Sequence, residues 1–348
     1  MTRRADPMDL REERFAARTE GIVRPATLGE EAVMRVLRVP PELAGMRLDR
    51  FVQTQLRATS RTRTQRIVEL GAFTSDGAAL RKNHRVRTEE RIILWREAWD
   101  EPHTDVELAV IYEDAELLAI NKPPNVAVHP TARHNRSTVT SLLAAQRPKD
   151  RLTLLHRIDR ETSGVLLLAR TRAADRSVKV QFEERRDVLK RYLAIAWGCP
   201  DWQRRTCELP LELDPTSHTR VKMRIAAPGE GLEAATTFER LEVRRRGGRT
   251  YAMFRCTLHT GRQHQIRLHL AAMGMPIVGD KLYGPDETIH QRAADRVLTD
   301  EDLAVLELER HALHAAELEL DHPEDARRIR IEAPLLPDMA TFWESLER

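Results

Sequence analysis

Residues 154–170 read LLHRIDRETSGVLLLAR, and this stretch carries most of what the chain says about its own fold and chemistry. Its second half, Gly164–Ala169, is an unbroken apolar run too short for a helix and predicts a buried strand. Its first half places His156, Arg157, Asp159 and Arg160 in a loop immediately before that strand. A carboxylate set among cations at the lip of a buried strand is expected to stay ionised, because nearby positive charge favours the charged form. Such an oxygen can serve as a nucleophile. The plainer reading is that Asp159 caps a turn and pairs with an arginine, and this stretch alone leaves both open.

Further strand-like runs stand on either side: ELLAIN at 116–121, YLAIAW at 192–197 and YAMFRCTL at 251–258, interspersed with short helical stretches. Residues 106–345 are therefore expected to form one α+β domain around a substantial sheet. The charged segment 285–308 lies between two motif-like stretches and predicts a surface insertion. Upstream, Leu48, Phe51, Val52 and Leu56 fall at helical spacing, Ser60 suits an N-cap, and a second helix is expected to end near Gly71. Asp76-Gly77 then predicts a tight turn between short extended runs, closed by the strand IILW. This makes residues 36–96 a small helix-and-hairpin domain, preceded by a flexible arm at 1–35 and followed by a polar linker at 97–105.

Charge separates the two domains. The whole chain of 348 residues carries a net +3, with 41% apolar and 32% charged residues, as ordinary globular proteins do. Residues 47–96 hold twelve Lys/Arg against five Asp/Glu, a net +7, which leaves −4 for the rest. Arg61, Arg63, Arg66, Arg81 and Lys82, with Arg57, Arg85 and Arg87, cluster around the second helix and hairpin, and phosphates are their natural partners. A merely solvated basic face is the alternative.

Several classes are excluded on composition. Three cysteines, Cys199, Cys207 and Cys256, lack a C-x-x-C spacing and argue against a disulfide framework or a thiolate zinc site. The N-terminal stretch has charges throughout and does not read as a secretory signal, and no apolar run approaches the ~18 residues of a membrane helix. A soluble cytoplasmic protein is expected. His264 with His269, and His311 with His314, lack an acidic or thiolate companion at metal-ligand spacing, so structural or RNA-contacting roles are expected and no metal. Neither nucleotide-binding glycine fingerprint occurs, so no nucleotide cofactor is expected.

The stretch GMRLDRFVQTQLRATSRTRTQRIVELGAF, residues 45–73, resembles the small RNA-binding domain named after a protein of the ribosomal small subunit, departing from it at Thr74-Ser75-Asp76-Gly77. The stretch HRIDRETSGVLLLA is similar to the signature of the RluA-type pseudouridine synthases, with Ile158 where leucine is usual. INKPPNVAVHP (120–130), KRYLAIAWG (190–198), LHTGRQHQIRLHLAAMGMPIVGDKLYG (258–284) and RHALHAAELELDHP (310–323) resemble that family in order and spacing.

The resemblance implies an α+β fold with a mixed, mainly antiparallel sheet, an RNA uridine isomerase without cofactors, and structured RNA, ribosomal above all, as partner of a monomer. It implies Asp159 as the catalytic aspartate acting at the ribose. Arg157 would enter the helix in place of the flipped nucleotide. Tyr192 would stack on the uracil, a contact worth ~1–3 kcal/mol, although its strand pattern alone favours the core. Arg267 would pair with Asp159, with Arg262 as rival for that place, and His156 and Arg262 are expected at the substrate. Other readings stay open: transfer RNA as substrate, a non-catalytic RNA-binding ribosome-assembly factor, or a hydrolase using Asp159 with a second acid such as Glu161.

Overall fold

The computed structural model describes residues 24–30, 32–56, 61–97, 106–130, 137–184, 188–217, 219, 221–227, 229–295 and 297–348. The chain divides into two compact units, residues 1–101 and 102–348. Ser60, Arg57, most of the arm at 1–35 and all but Glu97 of the linker at 97–105 lie outside the described residues. No helix among the described residues is long and apolar enough to cross a membrane.

The first unit holds β1 (Val33–Arg38), α1 (Leu48–Gln55), α2 (Arg61–Gly71), β2 (Ala72–Thr74) and β3 (Arg91–Arg96), with its strands in the order β1-β3-β2. The i, i+3, i+4 spacing of Leu48, Phe51 and Val52 puts all three on the buried side of α1, against Val68 of α2 and Ile92 and Leu94 of β3. At Asp76-Gly77 the chain reverses as expected: the Ala78 N–H donates to Thr74 Oγ1, the Thr74 N–H donates to the Ala78 carbonyl, and Gly77 takes φ +88°. One boundary needs correction. β1 begins at Val33, inside the stretch read as a flexible arm, and pairs with β3 over six residues. Its order comes from a partner strand more than fifty residues away, which local periodicity does not register.

The second unit is built on a ten-stranded sheet: β4 (Val110–Glu113), β5 (Leu117–Lys122), β6 (Thr153–Leu154), β7 (Ser163–Ala169), β8 (Leu189–Trp197), β9 (Arg204–Cys207), β12 (Thr236–Arg246), β13 (Arg249–Leu258), β14 (Leu313–Asp321) and β15 (Arg328–Glu332). The main path runs β4-β5-β7-β14-β8-β13-β12-β9, with β6 added to β7 and β15 to β14. A separate hairpin pairs β10 (Leu211–Leu213) with β11 (Met223–Ile225). The sheet is mixed and mostly antiparallel: β7 with β14 is parallel and the other pairs are antiparallel. β7 is buried along its whole length, as its continuous apolar run requires.

Helices α3 (Val139–Gln146), α4 (Arg172–Glu184), α5 (Gln265–Ala272), α6 (Thr288–Asp295), α7 (Asp300–Leu306) and α8 (Pro337–Glu344) complete the unit. The segment 285–308 is anchored rather than loose. It folds into α6 and α7, the latter started by a capping box between Thr299 and Asp302. Behind α7, the Glu307 carboxylate accepts from Trp197 Nε1 (2.7 Å), Tyr251 Oη (2.7 Å) and Arg249 (3.0 Å), which fixes the segment to β8 and β13. The fold also runs past residue 345, because Leu346 is buried and Glu347 bridges Arg245 of β12.

Candidate active site

The loop ahead of β7 is held from below by buried cations. On β5, Lys122 is fully buried and donates through Nζ to three carbonyls, those of Pro123 (2.7 Å), Val126 (3.0 Å) and Arg160 (2.9 Å). Burial pulls its pKa down to about 7. Arg310 is clamped by both oxygens of Asp338 and gives Nη1 to the carbonyl of Glu161 (3.4 Å). The two residues that follow Asp159 are therefore fixed by their backbone oxygens. Their side chains are occupied too, since Glu161 accepts from Lys281 at 3.0 and 3.1 Å. Burial alone would raise the Glu161 pKa, but His311, Lys281 and Arg160 bring it to about 2.

The glycine of this motif has a packing reason. Gly164 takes φ +109°, and a Cβ there would lie 2.1 Å from the carbonyl oxygen of Ala315 on β14. Only glycine permits the parallel register that sets Ser163 opposite His314 and Gly164 opposite Ala315. The two histidines of RHALH then stitch the loop down: Thr162 Oγ1 bonds His311 Nε2 (2.8 Å), and Ser163 Oγ bonds His314 Nδ1 (2.9 Å).

Beside the loop lies a cavity of about 290 Å³. This volume is near the lower end for ligand clefts and suits a single base-sized group. Its lining includes Arg157, Ile158 and Asp159 of the loop, Lys190 and Tyr192 of β8, Leu258 of β13, and Arg262, His264 and Arg267 from the turn and helix beyond. Arg267 is the buried partner of Asp159: its Nη1 donates to Asp159 Oδ2 at 3.0 Å. Its remaining donors go to Asp280, Nε to Oδ2 at 2.7 Å and Nη2 to Oδ1 at 2.9 Å. Asp280 is wholly buried and also accepts from the N–H groups of Leu282 (2.9 Å) and Tyr283 (3.0 Å). Burial by itself would raise its pKa, yet Arg267 holds this carboxylate well below the usual range. Conversely, burial opposes the charge on Arg267, while Asp280 and Asp159 together hold its pKa above the usual value. Asp159 keeps 30% of its side chain exposed, and among the described residues nothing hydrogen-bonds to its other oxygen, Oδ1. One oxygen is thus tethered and one is available to the cavity.

Gly279 lets Asp280 reach this position. At φ +77°, a Cβ there would come within 2.0 Å of the Arg310 carbonyl oxygen.

Tyr192 is buried and lines the cavity, two strands from Gly164 through Ala315. Burial, then the Asp159 charge, raise its pKa, so it remains a neutral phenol. Lys190 shares that wall, with Nζ 4.0 Å from the ring centre of Phe182 and its pKa lowered to about 8 by burial. Arg157 is exposed at the rim. Arg262 also lines the cavity but gives Nε to the Glu233 carbonyl (3.0 Å), so of the two rivals only Arg267 bonds Asp159.

His156 lines the cavity and also serves the sheet. It accepts the Leu167 N–H through Nε2 at 3.0 Å and meets Phe182 edge-on. β14 covers the start of that edge of β7 and β6 covers its end, and the imidazole fills the backbone gap between them. Burial lowers its pKa to about 3. Nε2 is thus committed to the sheet, while the ring stands at the cavity wall.

In the first unit Arg61, Arg63 and Arg66 are exposed on α2, whose Thr64 and Val68 are buried, and Arg81 and Lys82 are exposed beyond β2. Lys82 is paired with Glu69 at 2.7 Å.

Sequence reasoning missed Asp280 and Tyr283, and gave His264 only a general structural or RNA-contacting role. All three fall within the 258–284 motif, yet Asp280 is hidden by its distance from Asp159 and Tyr283 by lacking any spacing signal.

Residues 116–272 match the sequence profile of RNA pseudouridylate synthases. The chain is 32% identical over 91% of its length to the ribosomal large subunit pseudouridine synthase D of Xanthomonas campestris, 93% of which is covered. It is 36% identical over 91% of its length to an RNA pseudouridine synthase of Chloroflexus aurantiacus, 95% of which is covered. Among solved structures it is similar to human RNA pseudouridylate synthase domain containing 1, with a TM-score of 0.55 and 27% identity over 70% of this chain and 90% of that one. The cavity with its tethered aspartate thus sits in a chain that belongs to the RNA pseudouridylate synthase family of RluA type, isomerases that act on RNA.

Proposed function

We propose that this chain converts specific uridines of large-subunit ribosomal RNA to pseudouridine, with Asp159 as the group that acts at the sugar. The observation that carries the reading is the carboxylate with one oxygen tethered to Arg267 and the other open to a base-sized cavity. Asp159 Oδ1 attacks the anomeric carbon or removes a ribose proton to give a glycal. On either route uracil detaches, turns and rejoins through carbon 5. Arg267 keeps the carboxylate aimed. Tyr192 offers a neutral ring to the uracil face, and Arg157 at the rim takes the place the nucleotide vacates, where a planar cation both stacks and binds phosphate. Arg262 lines the same cavity and is proposed to contact the substrate RNA.

The first unit serves as the RNA-docking domain, of the type named after a small-subunit ribosomal protein. In support, Arg61, Arg63, Arg66, Arg81 and Lys82 present exposed charge on one short helix and its hairpin. Ribosomal RNA as substrate draws support from the names of the relatives. The enzyme is proposed to act in the cytoplasm as a monomer without a cofactor. Release of tritium from carbon 5 of labelled uridine in unmodified large-subunit ribosomal RNA tests the reading. Asp159→Asn is expected to abolish release, and full release by that variant would refute the role of Asp159.

A further inference from the structure

His264 stands in the turn ahead of α5 with its backbone in the left-handed region, φ 57°, where a non-glycine residue is strained. The turn around it is over-determined by Gln265. That buried side chain accepts from Thr260 Oγ1 (2.7 Å) and the Arg262 N–H (3.0 Å), and donates to the Ala235 carbonyl (2.9 Å) and Thr236 Oγ1 (2.8 Å). Strain held in this way delivers the imidazole to the cavity, whose wall it forms next to Asp159.

The hydrogen bonds fix the tautomer. Tyr283 Oη accepts the Met223 N–H at 2.9 Å, and His264 Nδ1 lies 2.9 Å from the same oxygen. The buried phenol has one hydrogen to place, and a backbone N–H cannot receive it. Among the described residues Nδ1 is its one acceptor, so Tyr283 donates to Nδ1 and the ring hydrogen of neutral His264 resides on Nε2. Burial raises the Tyr283 pKa, and burial with Arg267 lowers that of His264 to about 4, so both are neutral near pH 7. Nε2 lies 4.0 Å from Asp159 Oδ2, beyond a hydrogen bond, and has no partner among the described residues. A donor is therefore held ready beside the carboxylate that acts on the sugar.

We propose that His264 contacts the substrate, donating from Nε2 to the uracil carbonyl oxygen that gains negative charge as the base leaves the ribose, and that Tyr283 is a positioning residue that sets the tautomer. The inference rests on the reading of Asp159 as the group that acts at the sugar. When the C1′–N1 bond breaks, its electron pair goes to the uracil ring and spreads onto the carbonyl oxygens. A preset N–H directed there strengthens its bond in the transition state and acts on kcat more than on KM.

Nitrogen-15 spectra of histidine-labelled full-length protein at pH 7, with the His264 signal assigned by its loss in His264→Gln, test the tautomer without substrate. An Nε2–H form in the wild type and its depletion in Tyr283→Phe support the inference; an Nδ1–H form in the wild type overturns it. In tritium release, His264→Ala is expected to lower kcat roughly 10- to 100-fold with little change in KM. His264→Gln, whose amide nitrogen can replace Nε2, should recover most of that loss, and His264→Asn should not. Equal rates for Ala and Gln, or a loss confined to KM, overturn it. If Asp159→Asn is inactive while His264→Ala is not impaired, only this inference fails. If Asp159→Asn is active, the parent reading fails, whatever the spectra show.

Discussion

Replacement of Asp280 by Asn separates the support of the site from its chemistry. The change preserves shape but removes the negative charge that faces two guanidinium N–H groups at 2.7 and 2.9 Å. Arg267 then stays buried with Asp159, itself 30% exposed, as its remaining acidic partner. Loss of one member of a buried pair costs about 3–5 kcal/mol, against a total stability of about 5–15 kcal/mol. Asp280→Asn should therefore fold at 25 °C with a much lower urea midpoint and an unchanged slope. The partner change Arg267→Met, made together with Asp280→Asn, should cost less than the two single changes combined, because the stranded cation is gone. The pH dependence has a definite sign. The Asp280 pKa is depressed in the folded state, so its contribution is full above the unfolded carboxylate value of about 4 and fades as pH falls below it. The gap between wild type and variant should be flat from pH 5 to pH 8, within the error of extrapolation, and close in more acidic buffer. Additive single effects, or a gap that widens in acid, would refute the electrostatic account of how Arg267 is held.

Three other outcomes follow from the same structure. Gly164→Ala forces a Cβ to within 2.1 Å of the Ala315 carbonyl at a φ of +109°, so strain and overpacking together should remove more than about 3 kcal/mol, seen as a fall in the urea midpoint. For Lys122 the folded pKa of about 7 lies below the 10.5 of an unfolded lysine, so unfolding takes up a proton between those values and stability gains with rising pH there; Lys122→Met should flatten that rise in denaturation curves. Charge reversal at Arg61, Arg63 and Arg66 should weaken RNA binding and reduce its salt dependence, measured by filter binding across a salt series, with the fold of the catalytic unit unchanged.

Which parts of this molecule are legible from sequence follows from how far each determinant reaches along the chain. The strand at Ser163–Ala169, the helix face of Leu48, Phe51 and Val52, and the turn at Asp76-Gly77 depend on neighbours within a few residues, so their periodicity and turn chemistry announce them. The start of β1 at Val33 depends on Arg96, and the parallel join of Ser163 to His314 spans 151 residues; no local pattern carries either. Within the site, the motif resemblance singles out Asp159 and Arg267, with Arg262 as the rival of the latter. The structure explains why periodicity could not choose. Every residue of α5 from Gln265 to Leu270 is buried, so the helix has no polar face on which a buried arginine would stand out. Asp280 was invisible for a related reason. A charge with no exposed surface is tolerated only when its partner is already in place, and that partner is 13 residues back on a different element. His156 illustrates the converse: the motif resemblance places it at the substrate, and a sheet edge with a Leu167 N–H left over takes one of its nitrogens. Chemistry at one end of this loop thus depends on backbone satisfaction at the other, and a sequence motif that contains both reports them as a single signal.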